Sequence, residues 1–414
     1  MIRRALSIVL PAALALSLVA CTEAPGTSRA SGAESHDRWN GTGPWAVSSR
    51  PTLVIGMLEG AEEYQFSAIS AAARHSDGDL VVADEGARVV RLYGPDGRFR
   101  VTLGQAGSGP GEFTRPTQIV IVDVDSVMVW DDAAYRLSVF DSAGAFVRDH
   151  TFNRARITDA VTPPLNPGSG RLLSSGDLLV RLIAKSAKTL PSGGATNRFR
   201  AASGALRVSA DASLIDTVAF FKGAEQAVVE SPWGRLALDP PLPRNTWIAV
   251  QPNEPRACIG DQENLGISCY ETDGTVIFAR WPNPPSAVRD DDPDVEEWRS
   301  RTLADYEMKL SYEASIRLLE QMSPPAERPP HSSLVLDHDG YLWADSGPAE
   351  DPASSDYLVF DRAGSLLGTV RLPRMRILEI DRNEIIAAYR DELDVQYLGV
   401  FEVTKPESPA QEVE

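Results

Sequence analysis

Apolar and polar positions alternate along most of this chain with the two-residue period of strands, and the pattern comes in units. Asp79 to Phe99 (DLVVADEGARVVRLYGPDGRF) superimposes without a gap on Ser126 to Phe146 (SVMVWDDAAYRLSVFDSAGAF). Asp84 falls on Asp131, Val90 on Leu137, Tyr93 on Phe140, Gly97 on Gly144 and Phe99 on Phe146. Each unit reads as an apolar strand, an acidic turn, an alternating strand, then a Gly-containing turn into a further strand, which is the grammar of a repeated antiparallel sheet. Asp261 and Tyr270 keep the same spacing and run into Asp273-Gly274, while Asp345 and Phe360 carry an insertion before Ala363-Gly364.

Counting these units predicts an all-β closed ring. The first blade spans about Phe66 to Leu103. The second follows the Gly-rich crossing QAGSGPGEF and Thr114-Arg115-Pro116. A poorer third blade has SGDLLV at Ser175 to Val180, a polar stretch from Lys185 to Phe199, strand pattern again from Ala205 to Leu214, and Leu182 where the turn aspartate should stand. Asn245 to Trp281 and His331 to Leu372 supply the fourth and fifth. The last segment, Met375 to Val403, has three strands only, so the unpartnered Thr52 to Leu58 is expected to complete it, which would remove every open sheet edge around the circle.

One helical region interrupts the pattern, an insertion at residues 286–330 between blades four and five. Val295, Trp298, Leu303, Tyr306 and Leu310 lie near helical spacing, with a second apolar group at Ile316, Leu318, Leu319 and Met322. An acidic run, Asp290 to Asp294, precedes them and Pro324-Pro325 stops them, so two short helices are expected over the face that carries the acidic turns.

GSGPGEF followed by Thr-Arg-Pro, with SDGDLVVAD before it and DHDGYLWAD later, resembles the six-bladed β-propeller lipoproteins of bacteria, relatives of the NHL-type propellers. The resemblance covers most of residues 50 to 404. It implies a six-bladed propeller of four-stranded antiparallel blades over residues 45–406, closed by the N-terminal strand, and it implies little about activity. The Gly-rich crossing itself is no P-loop, because neither a Lys-Ser/Thr pair nor a helix follows it; a tight inter-blade turn is expected instead.

The N-terminus concerns address rather than fold. Residues 1–20 read as a signal peptide: Arg3-Arg4, an apolar run too short for a stable span, then Leu18-Val19-Ala20-Cys21. Leu-Val-Ala-Cys resembles the lipobox, which implies removal of the signal peptide and acylation of Cys21; an ordinary secretory signal with a chance cysteine is the alternative. Thr22 after the cysteine resembles the outer-membrane sorting pattern, so a lipid-anchored envelope protein facing the periplasm is expected. Residues 21–44, small, polar and punctuated by Gly and Pro, read as a flexible tether.

The formal charge of −18 argues against nucleic acid and against electrostatic attachment to anionic lipid, leaving the lipid chains as the only membrane contact. With Cys21 acylated, Cys258 and Cys269 form an even pair on adjacent strands, either a disulfide or two buried thiols.

Ligands of propellers bind in or over the central channel. Arg115, Arg244 and His331 begin the innermost strands of successive blades, and Asp84, Asp131 and Asp261 occupy the turns, joined by Glu85, Asp132, Glu263, Asp345, Asp391, Glu392 and Asp394. These describe an acidic rim around a basic throat suited to a small anion. Alternatively each aspartate accepts N–H bonds inside its own turn and each arginine neutralises a neighbouring carboxylate. No GxSxG, HExxH, CxxC or calcium-loop pattern occurs, so no catalytic residue, metal ligand or cofactor is assigned.

The expected function is a monomeric, envelope-anchored binding or interaction module for an unknown small molecule or envelope protein. The alternative is a metal-dependent hydrolase or lyase of gluconolactonase-like or amidating-lyase-like type working at the channel. A third reading has the helices of residues 293 to 322 docking a protein partner.

Overall fold

The computed structural model describes residues 45–405 apart from 123–124, 162–164, 185–196, 210–214, 264, 283–284, 290, 308–309, 349–352 and 382, together with the backbone of Thr27–Arg29 and Arg38–Asn40. Cys21, the signal segment and most of the polar stretch from Lys185 lie outside the described residues.

Strands Leu80–Asp84 and Val89–Tyr93 show why the sequence builds blades rather than a two-layer sandwich. All five residues of the first are buried, because the strand packs on both faces. Leu80 and Val82 point one way, into a cluster shared with Leu53, Ile55 and Val400. Val81 and Ala83 point the other way, against Ile119, Val127 and Val129 of the next sheet. Small residues such as Ala71 and Ala73 fill the narrow inner part of the wedge between these two sheets.

The strands fall into six antiparallel sheets. Blade 1 comprises Ile69–Arg74, Leu80–Asp84, Val89–Tyr93 and Phe99–Gly104; blade 2 comprises Pro116–Val122, Ser126–Asp131, Arg136–Phe140 and Phe146–Thr151. Blade 4 comprises Trp247–Val250, Ala257–Gly260, Gly266–Tyr270 and Val276–Arg280, and blade 5 Ser333–Leu336, Leu342–Pro348, Ser354–Phe360 and Leu366–Pro373. In blade 6, Arg376–Asp381, Glu384–Arg390 and Gln396–Thr404 are completed by Leu53–Ile55, with Val54 opposite Gly399 and Leu53 opposite Val400. The ring is therefore closed by a strand from the start of the chain. Apolar clusters fill each of the junctions between neighbouring blades, from blades 1 and 2 around to blades 6 and 1.

Blade 3 departs most from the expected repeat. It has five strands, Leu165–Leu172, Leu178–Ala184, Arg198–Val208, Ile215–Ser231 and Gly234–Leu238, and its third strand begins well before Ala205. The long strand Ile215–Ser231 continues past the blade and pairs with Gly234–Leu238. Ala227 and Val229 on this extension form a platform for Leu318, Leu319 and Met322 of the helical insertion. The insertion folds as helices Pro293–Glu307 and Tyr312–Leu319, so it rests on blade 3 although the chain inserts it between blades 4 and 5.

The tether reading needs correction in two places. Thr27–Arg29 pairs with Leu53–Ile55, and Arg38–Asn40 pairs with Ala46–Ser48, extending the blade 6 sheet. Leu53–Ile55 would otherwise present a row of unpaired N–H and C=O groups at the edge of the sheet, and a polar segment can supply those bonds as well as an apolar one. Among the described residues no helix is long and apolar enough to cross a membrane.

Candidate ligand site at the channel mouth

The turn aspartates are structural. Asp84 accepts N–H bonds from Ser67 and Ala68, both at 2.9 Å, and from Ala87 at 3.0 Å. Asp131 accepts four, from Thr114 at 2.6 Å, Arg115 at 3.2 Å, Ala133 at 3.1 Å and Ala134 at 2.9 Å. Each carboxylate thus clasps its own turn to the crossing that enters the blade. The same turns hold Arg88 and Tyr135 at φ 58° and 54°, a left-handed backbone that costs a residue with a side chain about 1 kcal/mol and persists because the clasp over-determines it. With relative exposures of 1% and 0%, Asp84 and Asp131 present nothing to the channel and are removed from the ligand set.

Asp261 has a lesser role. Among the described residues its carboxylate accepts from Glu263 N, at 3.1 Å, while the clasp of blade 4 passes to Gln262, which accepts from Asn245 N and donates to the carbonyl of His331.

The arginines at the blade entrances are paired. Arg115 donates to Asp132 at 2.6 Å, and Asp132 also accepts from Trp130 and Gly170. Arg244 donates to Glu225 at 2.9 Å and lies 3.8 Å from Glu263. Both remain more than two-fifths exposed, but their charge is spent on neighbours. His331 is 3% exposed. Its ring stacks at a tilt against Trp281, with centroids 5.8 Å apart, and presses on Gly260, where a Cβ would come within 2.6 Å of Nε2. Both ring nitrogens are enclosed without a hydrogen-bond partner, and burial drives the pKa down to about 4, so the ring stays neutral. It belongs to the packing between blades 4 and 5 and is no basic member of the throat.

A cavity of about 1100 Å³ opens where the inner strands of blades 3 to 6 meet the helical insertion. Trp247, Tyr357 and Tyr389 give it apolar walls, and Trp298 of helix Pro293–Glu307 closes over them. That helix is pinned at its start: Arg328 donates to Asp292 and Asp294, each at 2.6 Å, and Arg374, just before the inner strand of blade 6, reaches Asp294 at 3.3 Å. The Arg328 pairs brace the insertion internally, and Arg374 ties its start to blade 6.

Three arginines missed by the sequence reading also reach the channel, Arg171 and Arg376 with solvent-exposed side chains and Arg181 half-buried. Arg171 and Arg376, from the innermost strands of blades 3 and 6, line this cavity, and Arg171 shares an adjoining cavity of about 230 Å³ with Arg181. Desolvation in the channel lowers the pKa of each guanidinium. Arg171 also disfavours the charge on Arg181 and on Arg376, while Asp132 and Glu85 act on Arg171 and Arg376 from a distance. Among the described residues, Arg171 donates to the adjacent carbonyl of Gly170, at 3.4 Å, and to no other group, and Arg181 Nε is buried without a partner. The available signal was local: Arg171 interrupts NPGSGRLLSSGD at a position opposite in the pleat to the buried Leu172.

A divalent cation does not fit these residues. Among the described residues no group of three His, Cys, Asp or Glu converges, and the carboxylates in the cavity lining, Asp294, Glu297 and Asp345, stand among guanidiniums. Cys258 and Cys269 stand directly opposite one another in blade 4 and are bonded to each other.

Residues 56–157 match a family model described as a 6-bladed beta-propeller, in keeping with the six sheets and their closed order. The fold is a six-bladed β-propeller. Among solved structures, the propeller is similar to a gluconolactonase from Xanthomonas campestris, with 12% identity, 91% of this chain and 100% of that chain covered, and a TM-score of 0.43. It is similar as well to a member of the duf4221 family from Bacteroides vulgatus, with 10% identity, coverage of 87% and 100%, and a TM-score of 0.47. A virginiamycin B lyase from Staphylococcus aureus shares 11% identity over 82% of this chain and 95% of its own, with a TM-score of 0.38. In sequence, 96 residues are 24% identical to Protein brain tumor of Drosophila melanogaster, covering 23% of the propeller chain and 9% of that protein. At these levels the likenesses carry nothing about ligand or activity.

Proposed function

We propose that the propeller is a ligand-binding module, tethered to the bacterial envelope through acylated Cys21, that takes a small molecule into the roofed cavity at its channel mouth. The carrying observation is the cavity itself: about 1100 Å³, walled by aromatic side chains, with charged groups beneath, the composition expected of a specific small-molecule site. A lactonase or lyase of metal-dependent type has less support, because the turn carboxylates that would ligate a cation are committed to backbone N–H groups.

Trp247 and Trp298 both face the cavity, so occupancy changes intrinsic fluorescence as well as thermal stability. A screen of sugars, peptides and organic anions should yield compounds that raise the melting midpoint of the wild type and lose most of that effect in Trp247→Ala and Trp298→Ala. Hits that bind both variants as tightly as the wild type would remove the cavity from the argument. The anchor is tested separately: Cys21→Ala should move the protein from the membrane to the soluble fraction and abolish incorporation of labelled palmitate.

A further inference from the structure

The ligand cavity and its neighbour hold arginines without carboxylate partners, although Asp294, Glu297 and Asp345 also stand in the lining. Arg171 and Arg376 open onto the lumen from opposite parts of the ring, and Arg181 stands beside Arg171 in the adjoining cavity. In a chain whose formal charge is −18, with Asp+Glu 58 against Lys+Arg 40, carboxylates to neutralise arginines are abundant. Several other guanidiniums around the channel have found them: Arg115 holds Asp132, Arg244 holds Glu225, Arg200 holds Glu263, and Arg328 holds Asp292 and Asp294. The three in the throat have no such contact among the described residues, and repulsion between them is left standing. Arg171 and Arg376 are exposed to the lumen and Arg181 is half-buried, so their charge is open to a ligand rather than cancelled by a neighbouring carboxylate.

Resting on the ligand-cavity reading, we infer that Arg171, Arg181 and Arg376 form a receptor for an oxyanion group bearing at least two negative charges, with the remainder of the ligand lying against the aromatic walls above. Guanidinium groups suit this task because each offers paired N–H donors in one plane, and a phosphoryl, sulfuryl or paired-carboxylate group can accept from several of them at once. A monovalent halide cannot span separated donors and leaves part of the repulsion in place. Glu85, from the neighbouring blade 1, acts on Arg376 and tempers the attraction, which favours compact anions that come close to the guanidiniums.

The test uses the full propeller with sulfate, inorganic phosphate and citrate at fixed ionic strength, with chloride as the monovalent comparison. The three probes separate sulfuryl, phosphoryl and carboxylate chemistry. At least one multivalent oxyanion should raise the melting midpoint and bind saturably by calorimetry, with chloride silent. Arg171→Gln and Arg376→Gln should each weaken the dissociation constant about 10- to 100-fold, the loss expected for a charge-assisted contact. Exposed Arg362→Gln, whose partners are Glu254 and Glu271 at the surface, should leave it unchanged. Without anion, Arg171→Gln should melt no lower than the wild type, because relief of repulsion is gained; a clear fall would mark a purely structural arginine and overturn the inference. Unaltered binding in both channel variants would overturn it as well. If the wild type ignores all three oxyanions while a neutral probe still quenches Trp247 and Trp298, the receptor is wrong and the cavity stands; if neither class binds, both fall.

Discussion

Blades 2 and 4 solve one mechanical problem with different chemistry. In each, the chain crosses from the preceding blade into an innermost strand and must be fastened to the turn between the second and third strands. Blade 2 does so with Asp131, a fully buried carboxylate whose two oxygens collect four backbone N–H groups. Blade 4 has no such carboxylate. Gln262 bonds to the crossing at Asn245 and to the next crossing at His331, Glu225 of blade 3 accepts from Arg244 N, and Cys258–Cys269 ties the two central strands. Even the interface between blades 3 and 4 is thinner, with Leu179, Ala205, Ala257 and Ile259 as its buried apolar residues, and Arg200 bridges it through the carbonyl of Asp261 and the carboxylate of Glu263. The repeated aspartate is therefore a fastening, replaceable where other fastenings exist, and its recurrence says nothing about a ligand.

The largest expected effect comes from cutting the stronger fastening. Asp131→Ala strands four N–H donors in a buried turn and removes the support for Tyr135 in its left-handed conformation, at a cost of about 3–5 kcal/mol. Denaturant titration should show this as a large fall in midpoint with the slope unchanged. A loss under 1 kcal/mol would mean the turn keeps its shape without the carboxylate.

A pH titration probes the other side of the comparison, where Gln262 fastens the crossing at His331. Burial alone sets the lowered pKa of that imidazole, with no charged group acting on it. Its pKa is about 4 in the folded protein against 6.5 when exposed, so between these values the unfolded chain binds the proton and the native one does not. The stability contribution is therefore complete above pH 6.5, declines as the pH falls toward 4, and is constant below. Over that window the loss approaches about 3 kcal/mol. His331→Leu should flatten this part of the stability profile relative to wild type; an unchanged slope would show that His331 is wetter than its packing against Trp281 and Gly260 implies.

Reduction of the disulfide ranks next. Cys258 and Cys269 enclose a short loop, with a sequence separation of 11, so the constraint on the unfolded chain is worth about 2–3 kcal/mol. Thermal unfolding with and without reductant, alongside the Cys258→Ala/Cys269→Ala double variant, measures it. If reduction leaves the midpoint where it was, blade 4 does not depend on the staple that replaces the aspartate clasp.

What the sequence revealed follows this same division. Where blades repeat, as from Asp84 to Asp131, alignment of Tyr93 with Phe140 and Gly97 with Gly144 was enough to place strands, turns and the closing role of Leu53–Ile55, because burial on two faces imposes its own period. Blade 3 hid its long strand Ile215–Ser231, since that strand leaves the ring to carry the helices and so follows no blade pattern. The throat was misread for a related reason. Arg115 and Arg171 look alike in a string of letters; Arg115 is neutralised by Asp132, whereas Arg171 has no ion-pair partner among the described residues and feels Asp132 only from a distance. Whether a charge is paired is a property of the closed ring, and spacing within one blade cannot report it.

The smallest predicted effect is the sharpest test of the comparison. Asp261 occupies the alignment position of Asp131, so an account based on the repeat alone expects Asp261→Ala to be as damaging as Asp131→Ala. The geometry expects otherwise, because among the described residues the Asp261 carboxylate holds one N–H, at 3.1 Å in a partly exposed turn, and it is the main-chain carbonyl, retained in alanine, that accepts from Arg200. The loss should be below about 1 kcal/mol. Gln262→Ala, one residue on, should cost about 1–3 kcal/mol, since it leaves Asn245 N and the His331 carbonyl without their shared partner. Should the order be reversed, with Asp261 the costly position and Gln262 the tolerant one, the aspartate clasp is intact in blade 4 and the ring is more uniform than its hydrogen bonds indicate.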